Sequence, residues 1–320
     1  MSFLVQLPGD EYPREPIPPL SAGGFDIANA RVAGWLAQLV YEDEPEKIAS
    51  ILRAWQLQLV ASFNPLATSI LPMPKTRGLV VEGQGVHLVV FAGTDPLVLA
   101  NWVSDFDFPL RPNGTHEGFA QALEAAFQQV TAALPAATTS PRLWFVGHSL
   151  GAALAVLCAK RVNDEIGIRA EAIYTFGMPR AGNTAFFADY EPILGERTFR
   201  LVHGDDVVPS VPPSNLPHGL NFRHVGRLLQ CARFGTFDAA FLARAPNDLP
   251  AFMTTLVTGF KDALRGMLSG GLAPEIRRDA VGEGLRILPP GIGDHLPERY
   301  LRALGVPPVL SSNSGPSNQH

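Results

Sequence analysis

The sequence predicts an α/β domain built on a mostly parallel central sheet flanked by helices. Three observations predict it. Strand-like runs alternate with helical stripes through the middle of the chain, a strand–turn–helix passage surrounds Ser149, and no sharp change of composition divides the 320 residues into halves. A single domain of this length buries most of the apolar surface it carries.

Residues 1–24 contain five prolines and little periodicity, and read as an extended arm ahead of one domain at residues 25–310. Within 27–41, Ala28, Val32, Trp35, Leu36, Leu39 and Val40 recur at helical spacing, as do Ile48, Ile51, Leu52 and Trp55 within 44–55. Residues 79–82 and 86–91 are β-rich and separated by Gly83-Gln84-Gly85, which predicts a hairpin. A third helical stripe, Phe119, Leu123, Ala126, Phe127 and Val130, occupies 116–134. An apolar run at 143–146 enters Gly147-His148-Ser149-Leu150-Gly151, and a helical pattern follows at 152–162. Strands are expected at 172–176, running into Gly177, and at 199–202, running into Gly204-Asp205-Asp206. Residues 232–290 form an insertion whose stripe, Phe252, Met253, Leu256, Val257, Phe260, Leu264 and Met267, predicts a helical cap. A last helical pattern covers 296–304, and the polar residues 311–320 read as a disordered tail.

Composition excludes several classes of function. Hydrophobic residues make up 46% and charged residues 17%, yet no run of apolar residues is long enough for a membrane-spanning helix. The net charge of −5, with both signs interspersed, gives no footprint for nucleic acid. The first fifteen residues have neither the basic start nor the apolar core of a secretory signal, so the expected location is cytoplasmic, or outside by a signal-independent route. Cys158 and Cys231 offer neither a disulfide framework nor a metal site, and read as buried thiols.

The chemistry centres on Ser149. A serine hydroxyl is a poor nucleophile at neutral pH, so it needs a tight elbow, a base and nearby free backbone N–H groups. Glycines two residues to either side of Ser149 let strand and helix pack closely around such a turn. A carboxylate that orients the base is expected after a later strand, where Asp205 and Asp206 stand. Of eight histidines, most are discounted by position: His87 within a strand, His116 at a helix start, His148 beside the serine, His203 before Gly204 and His320 in the tail. His295, on a loop ahead of the last helix, is the leading base and His224 the second. The order Ser149, Asp206, His295 is that of α/β-hydrolases. The N–H of Leu150 is one expected donor to a developing oxyanion, and Thr94, after the strand that ends at Phe91, offers the second. Residues 96–109 crowd Leu97, Val98, Leu99, Trp102 and Val103 onto a short segment. This segment either packs inward as core or forms a movable flap over an acyl pocket.

Six islands then carry a resemblance: Phe91-Ala92-Gly93-Thr94-Asp95, Asn101-Trp102, His116-Glu117-Gly118-Phe119, Gly147-His148-Ser149-Leu150-Gly151, the stretch from Thr175 through Gly177-Met178-Pro179-Arg180 to Asn183, and Gly204-Asp205-Asp206-Val207-Val208-Pro209. On these the chain resembles the class 3 lipase family, the fungal-type triacylglycerol lipases and their bacterial relatives. The resemblance implies an α/β-hydrolase fold with Ser149 as nucleophile, His295 as base and Asp206, rather than Asp205, as the acid. It further implies Thr94 and Leu150 as oxyanion donors, and a lid at 96–109. Ala92 departs from the arginine common in the family, and 226–294 contains no family island. The implied activity is carboxylic-ester hydrolysis without metal or organic cofactor, on medium- or long-chain acyl glycerides at a lipid–water interface. A phospholipase A1 or feruloyl-type esterase on the same scaffold, and a non-catalytic lipid-surface-binding protein, are the alternatives.

Overall fold

The computed structural model describes residues 5–66, 75–94, 109–214, 220–237 and 290–306. The expected lid residues Leu97, Val98, Leu99, Trp102 and Val103, nearly all of the insertion and the tail lie outside the described residues.

Helices α1 (Ile27–Leu39) and α2 (Pro45–Ala54) come first. Asp26 caps α1 by accepting from the Ala28 and Asn29 N–H groups, and Pro45 opens α2, where its missing N–H costs nothing. Strand β1 (Gln58–Phe63), which the sequence reading passes over, pairs antiparallel with β2 (Gly78–Gly83) at the sheet edge. Its alternation is blurred by Gln58, Ser62 and a register shift between Leu59 and Ala61. Strand β3 (Val86–Phe91) completes the predicted hairpin. Gln84 and Gly85, at φ 54° and 72°, supply the two left-handed residues that a two-residue hairpin turn requires.

From β3 onward the pairing within the main sheet is parallel. Helix α3 (Glu117–Ala132), capped by His116 Nδ1 accepting from Gly118 N–H at 3.1 Å, leads to β4 (Arg142–His148). After α4 (Leu150–Ile166) come β5 (Ala172–Phe176), the short β6 (Gly182–Asn183), α5 (Thr184–Leu194) and β7 (Thr198–His203). Strand β8 (Phe222–Arg223) pairs with β6, and β9 (Arg227–Cys231) joins the main sheet. His224 therefore lies between two strands. Helices α6 (Pro290–Gly293) and α7 (Pro297–Ala303) close the described chain.

The main sheet has seven strands in the order β1-β2-β3-β4-β5-β7-β9. Alternate residues of β4 face opposite layers: Phe145 packs among α3 and α4 residues such as Phe119 and Ala155, while Trp144 and Val146 pack with Leu36 and Tyr300. All three β4 side chains are fully buried, and each stabilises the fold by roughly 1.5–3 kcal/mol relative to exposure. Residues 5–24 lie against the α1/α2 side. The Tyr12 hydroxyl donates to Glu42 at 2.6 Å, Trp55 Nε1 to the Pro13 carbonyl at 2.8 Å, and Leu20 N–H to Gln84 at 2.8 Å. Because β3, β4, β5 and β7 are parallel, their carboxyl ends deliver Thr94, Ser149, Gly177 and Asp206 to one rim of the sheet.

Candidate active site

Ser149 links β4 to α4 with φ 59° and ψ −133°, a conformation that few non-glycine residues hold. Packing enforces it. A Cβ on Gly147 would run into the Gly151 backbone, and one on Gly151 would lie 2.5 Å from the Phe91 and Ala92 carbonyls. Both glycines are thus required for β4, α4 and the end of β3 to approach this closely. The Ser149 N–H donates to the Phe176 carbonyl at 2.9 Å, fixing the elbow on β5. Its side chain is fully buried, and Oγ has no hydrogen-bond partner among the described residues.

His295 precedes α7 and is 2% exposed. Its Nδ1–H donates to Asp206, at 2.8 Å from Oδ2 and 3.0 Å from Oδ1. An ionised carboxylate only accepts, so the proton sits on Nδ1 and Nε2 carries the lone pair. Nε2, like Ser149 Oγ, is buried and has no hydrogen-bond partner among the described residues. Asp206 accepts two further bonds: from the Val208 N–H at 2.9 Å and from the Tyr300 hydroxyl at 2.5 Å. Burial first, and then the Asp206 charge, push the Tyr300 phenol well above its ordinary range, which keeps it a donor.

Asp205 points elsewhere. It is exposed, and its N–H donates to Asp294 Oδ2 at 2.9 Å. Asp294 is itself buried and lies 3.3 Å from Arg233 Nε, and burial raises its carboxyl above the usual range. This bond, with Val207 N–H donating to the Gly291 carbonyl at 3.2 Å, ties the loop carrying Asp206 to the loop carrying His295. His224, the second base candidate, donates from Nε2 to the Pro209 carbonyl at 2.7 Å. Burial and the nearby Arg200 and Arg180 charges hold it neutral, well below the usual histidine range.

Gly93 places the β3 end against the elbow, for a Cβ there would come within 2.7 Å of both Ser149 Cβ and the His148 carbonyl. Thr94 follows it, 9% exposed, with a hydroxyl that has no hydrogen-bond partner among the described residues. Leu150 is the first residue of α4, so its N–H has no preceding helical turn to donate to. The structure thus brings Asp206 and His295 into direct contact, seats Ser149 and Leu150 on the adjoining elbow, and packs the Gly93-Thr94 step against it. Cys158 and Cys231 are buried free thiols raised by burial, Cys231 to about 11. Sequence reasoning passed over Tyr300, Asp294 and Tyr41. Tyr300 sits on the same helical stripe as Leu304 and reads there as core, so no local pattern marks it.

Residues 88–216 match the class 3 lipase family. Secreted mono- and diacylglycerol lipase 1 of Fusarium solani is 38% identical over 122 residues, covering 35% of this chain and 36% of that protein. Triacylglycerol lipase OBL1 of Ricinus communis is 25% identical, covering 84% of this chain and 63% of its own length. The chain therefore spans 36% and 63% of the length of these two curated relatives. Among solved structures, lipase II from Rhizopus niveus aligns with a TM-score of 0.51 at 23% identity, over 67% of this chain and 84% of that one. That likeness shows a shared α/β-hydrolase fold. The matched segment contains Thr94, Ser149, Leu150 and Asp206 and ends before His295.

Proposed function

We propose, from the match of residues 88–216 to the class 3 lipase family, that this α/β-hydrolase is a serine carboxylic-ester hydrolase, a triacylglycerol lipase acting on medium- and long-chain acyl glycerides. The observation that carries the reading is the His295–Asp206 pair, which leaves a bare Nε2 on a buried imidazole beside the strained Ser149 elbow. In the proposed cycle, Ser149 Oγ attacks the ester carbonyl while His295 Nε2 takes its proton. Asp206 holds the imidazole in the productive tautomer, and the Leu150 and Thr94 N–H groups receive the developing oxyanion. His295 returns the proton to the leaving alcohol, and water then repeats the sequence on the acyl-enzyme. These steps call on no metal or organic cofactor. We assign residues 96–109 to the lid, 232–290 to the cap of the single domain at 25–310, and 1–24 to its arm. Among the described residues no helix is long and apolar enough to cross a membrane. The names of several relatives, that of the Fusarium solani lipase among them, include the word secreted, which favours an exported enzyme meeting lipid at an interface.

The test is hydrolysis of nitrophenyl esters of graded acyl length, with Ser149→Ala beside the wild type. An apolar groove gains about 1 kcal/mol per added methylene, so a lipase gives a rate maximum at the longer chains that vanishes in the variant. Activity confined to the shortest esters would move the assignment to a feruloyl-type esterase, and preference for a phospholipid sn-1 ester to a phospholipase A1. Absence of Ser149-dependent turnover at every length would leave a lipid-surface-binding protein.

A further inference from the structure

We propose that Tyr41 and His148 are positioning residues that lock the three loops of the site together, an inference that rests on the hydrolase reading above. The Gly93 N–H donates to the Tyr41 hydroxyl at 3.0 Å, and that hydroxyl lies 2.8 Å from His148 Nδ1. On the other edge of the ring, His148 Nε2 lies 2.7 Å from the His295 carbonyl. A carbonyl cannot donate, so Nε2 carries the proton, Nδ1 accepts, and the tyrosine proton points to it. The direction of every bond is then fixed: Gly93 N–H to Tyr41, Tyr41 O–H to His148, His148 N–H to His295.

Each end of this relay reaches a loop that carries one of the proposed groups. Gly93 precedes Thr94, His148 precedes Ser149, and the last acceptor is the backbone of His295 itself. Tyr41 is 1% exposed, and the His148 ring lies tilted against the His295 ring, with centroids 4.6 Å apart and 34° between planes. A neutral His148 is a neighbour that the imidazolium formed by His295 during acyl transfer tolerates. Protonation of Nδ1 would remove the acceptor for Tyr41 and set a second cation beside that imidazolium. Burial, and then the neighbouring His295, hold His148 well below the usual histidine range. The relay therefore fixes the Thr94 N–H and His295 relative to Ser149 without touching substrate.

Tyr41→Phe keeps the ring and removes the hydroxyl. With active sites counted by a serine-directed fluorophosphonate, it should lower kcat by about 10- to 100-fold with KM within about twofold, as loss of alignment costs turnover rather than binding. His148→Leu should lose a similar factor, and the double variant no more than the larger single loss, because the two act through one chain of bonds. Nitrogen-15 NMR of wild-type protein should show His148 protonated on Nε2 and bare on Nδ1. Wild-type kcat in Tyr41→Phe, losses that multiply in the double variant, or an Nδ1-protonated His148 would each overturn the proposal. Absence of Ser149-dependent hydrolysis in the wild type would instead remove the hydrolase reading on which it rests, whereas the tautomer is read independently of turnover.

Discussion

The Tyr300 hydroxyl sits 2.5 Å from Asp206 Oδ2, on the same carboxylate oxygen that His295 Nδ1 approaches to 2.8 Å. A second bond runs from the His203 N–H to that hydroxyl at 3.2 Å, so Tyr300 joins the end of β7 to the acid. A hydrogen bond to a buried charge is worth about 1.5–3 kcal/mol, and its deletion leaves the charge with fewer donors. Tyr300→Phe should therefore lower unfolding stability by about 1–3 kcal/mol and kcat by about tenfold. Urea unfolding and steady-state hydrolysis check both numbers. Unchanged stability would mean that the Asp206 charge finds its support elsewhere.

Ser149 carries a backbone conformation that glycine accepts and alanine does not, and strain of this kind costs on the order of 1–3 kcal/mol. Ser149→Gly and Ser149→Ala should both lose turnover by about four to six orders of magnitude, because each removes the hydroxyl. Their stabilities should differ: the glycine variant is expected about 1 kcal/mol more stable than the alanine variant, as relieved strain outweighs glycine's added freedom in the unfolded chain. A glycine variant that unfolds at lower urea than the alanine variant would show that the elbow is not under strain.

Gly177, at φ 59°, faces the acid–base pair so closely that a Cβ would stand 2.7 Å from Asp206 Oδ2 and 2.8 Å from His295 Nδ1. Gly167, at φ 77° after α4, has nothing within 4 Å of the same position. Alanine at either site pays the left-handed backbone cost of about 1 kcal/mol. Only Gly177→Ala also displaces His295. It should lose about 100-fold or more in kcat, whereas Gly167→Ala should keep wild-type kcat. Equal rates in the two variants would contradict the packing around His295.

Elements with strong periodicity or β-branched runs are legible in the sequence: α1, α2, α3, the β2/β3 hairpin, and the strands leading to Ser149 and Asp206. Position alone, at a helix start after Ser149 and after the end of β3, pointed to Leu150 and Thr94 as donors, and the family islands implied the same pair. Strand β1 was not legible because five of its six side chains are exposed or partly exposed and two of these, Gln58 and Ser62, are polar, and its identity as a strand comes from pairing with β2. Helix α5 contains Pro192 and interrupts its own pattern. Asp205 and Asp206 are chemically identical neighbours, and one resemblance separated them before the turn at Gly204 turned one outward. Tyr41 lies 107 residues from its partner His148, and that separation explains why no local spacing could pair them.

His148, which is buried, and His224, which is half-buried, are both held neutral, the first beside His295, Tyr41 and Tyr300, the second beside Arg200 and Arg180. In the unfolded chain each takes up a proton near pH 6.5, whereas in the folded chain each does so only at lower pH. Between those two pH values the unfolded state binds more protons, so stability rises with pH up to about 6.5 and falls as pH drops below it. Each histidine contributes a slope of up to about 1.4 kcal/mol per pH unit in that window. The urea midpoint should therefore be nearly level from about pH 8 to 7 and drop steeply towards pH 5. His224→Gln keeps a side-chain donor for the Pro209 carbonyl and cannot be protonated, so the difference between its slope and that of the wild type isolates one histidine. A variant whose stability falls as steeply as the wild type below pH 6.5 would show that His224 is protonated in the folded state and remove this account of acid sensitivity.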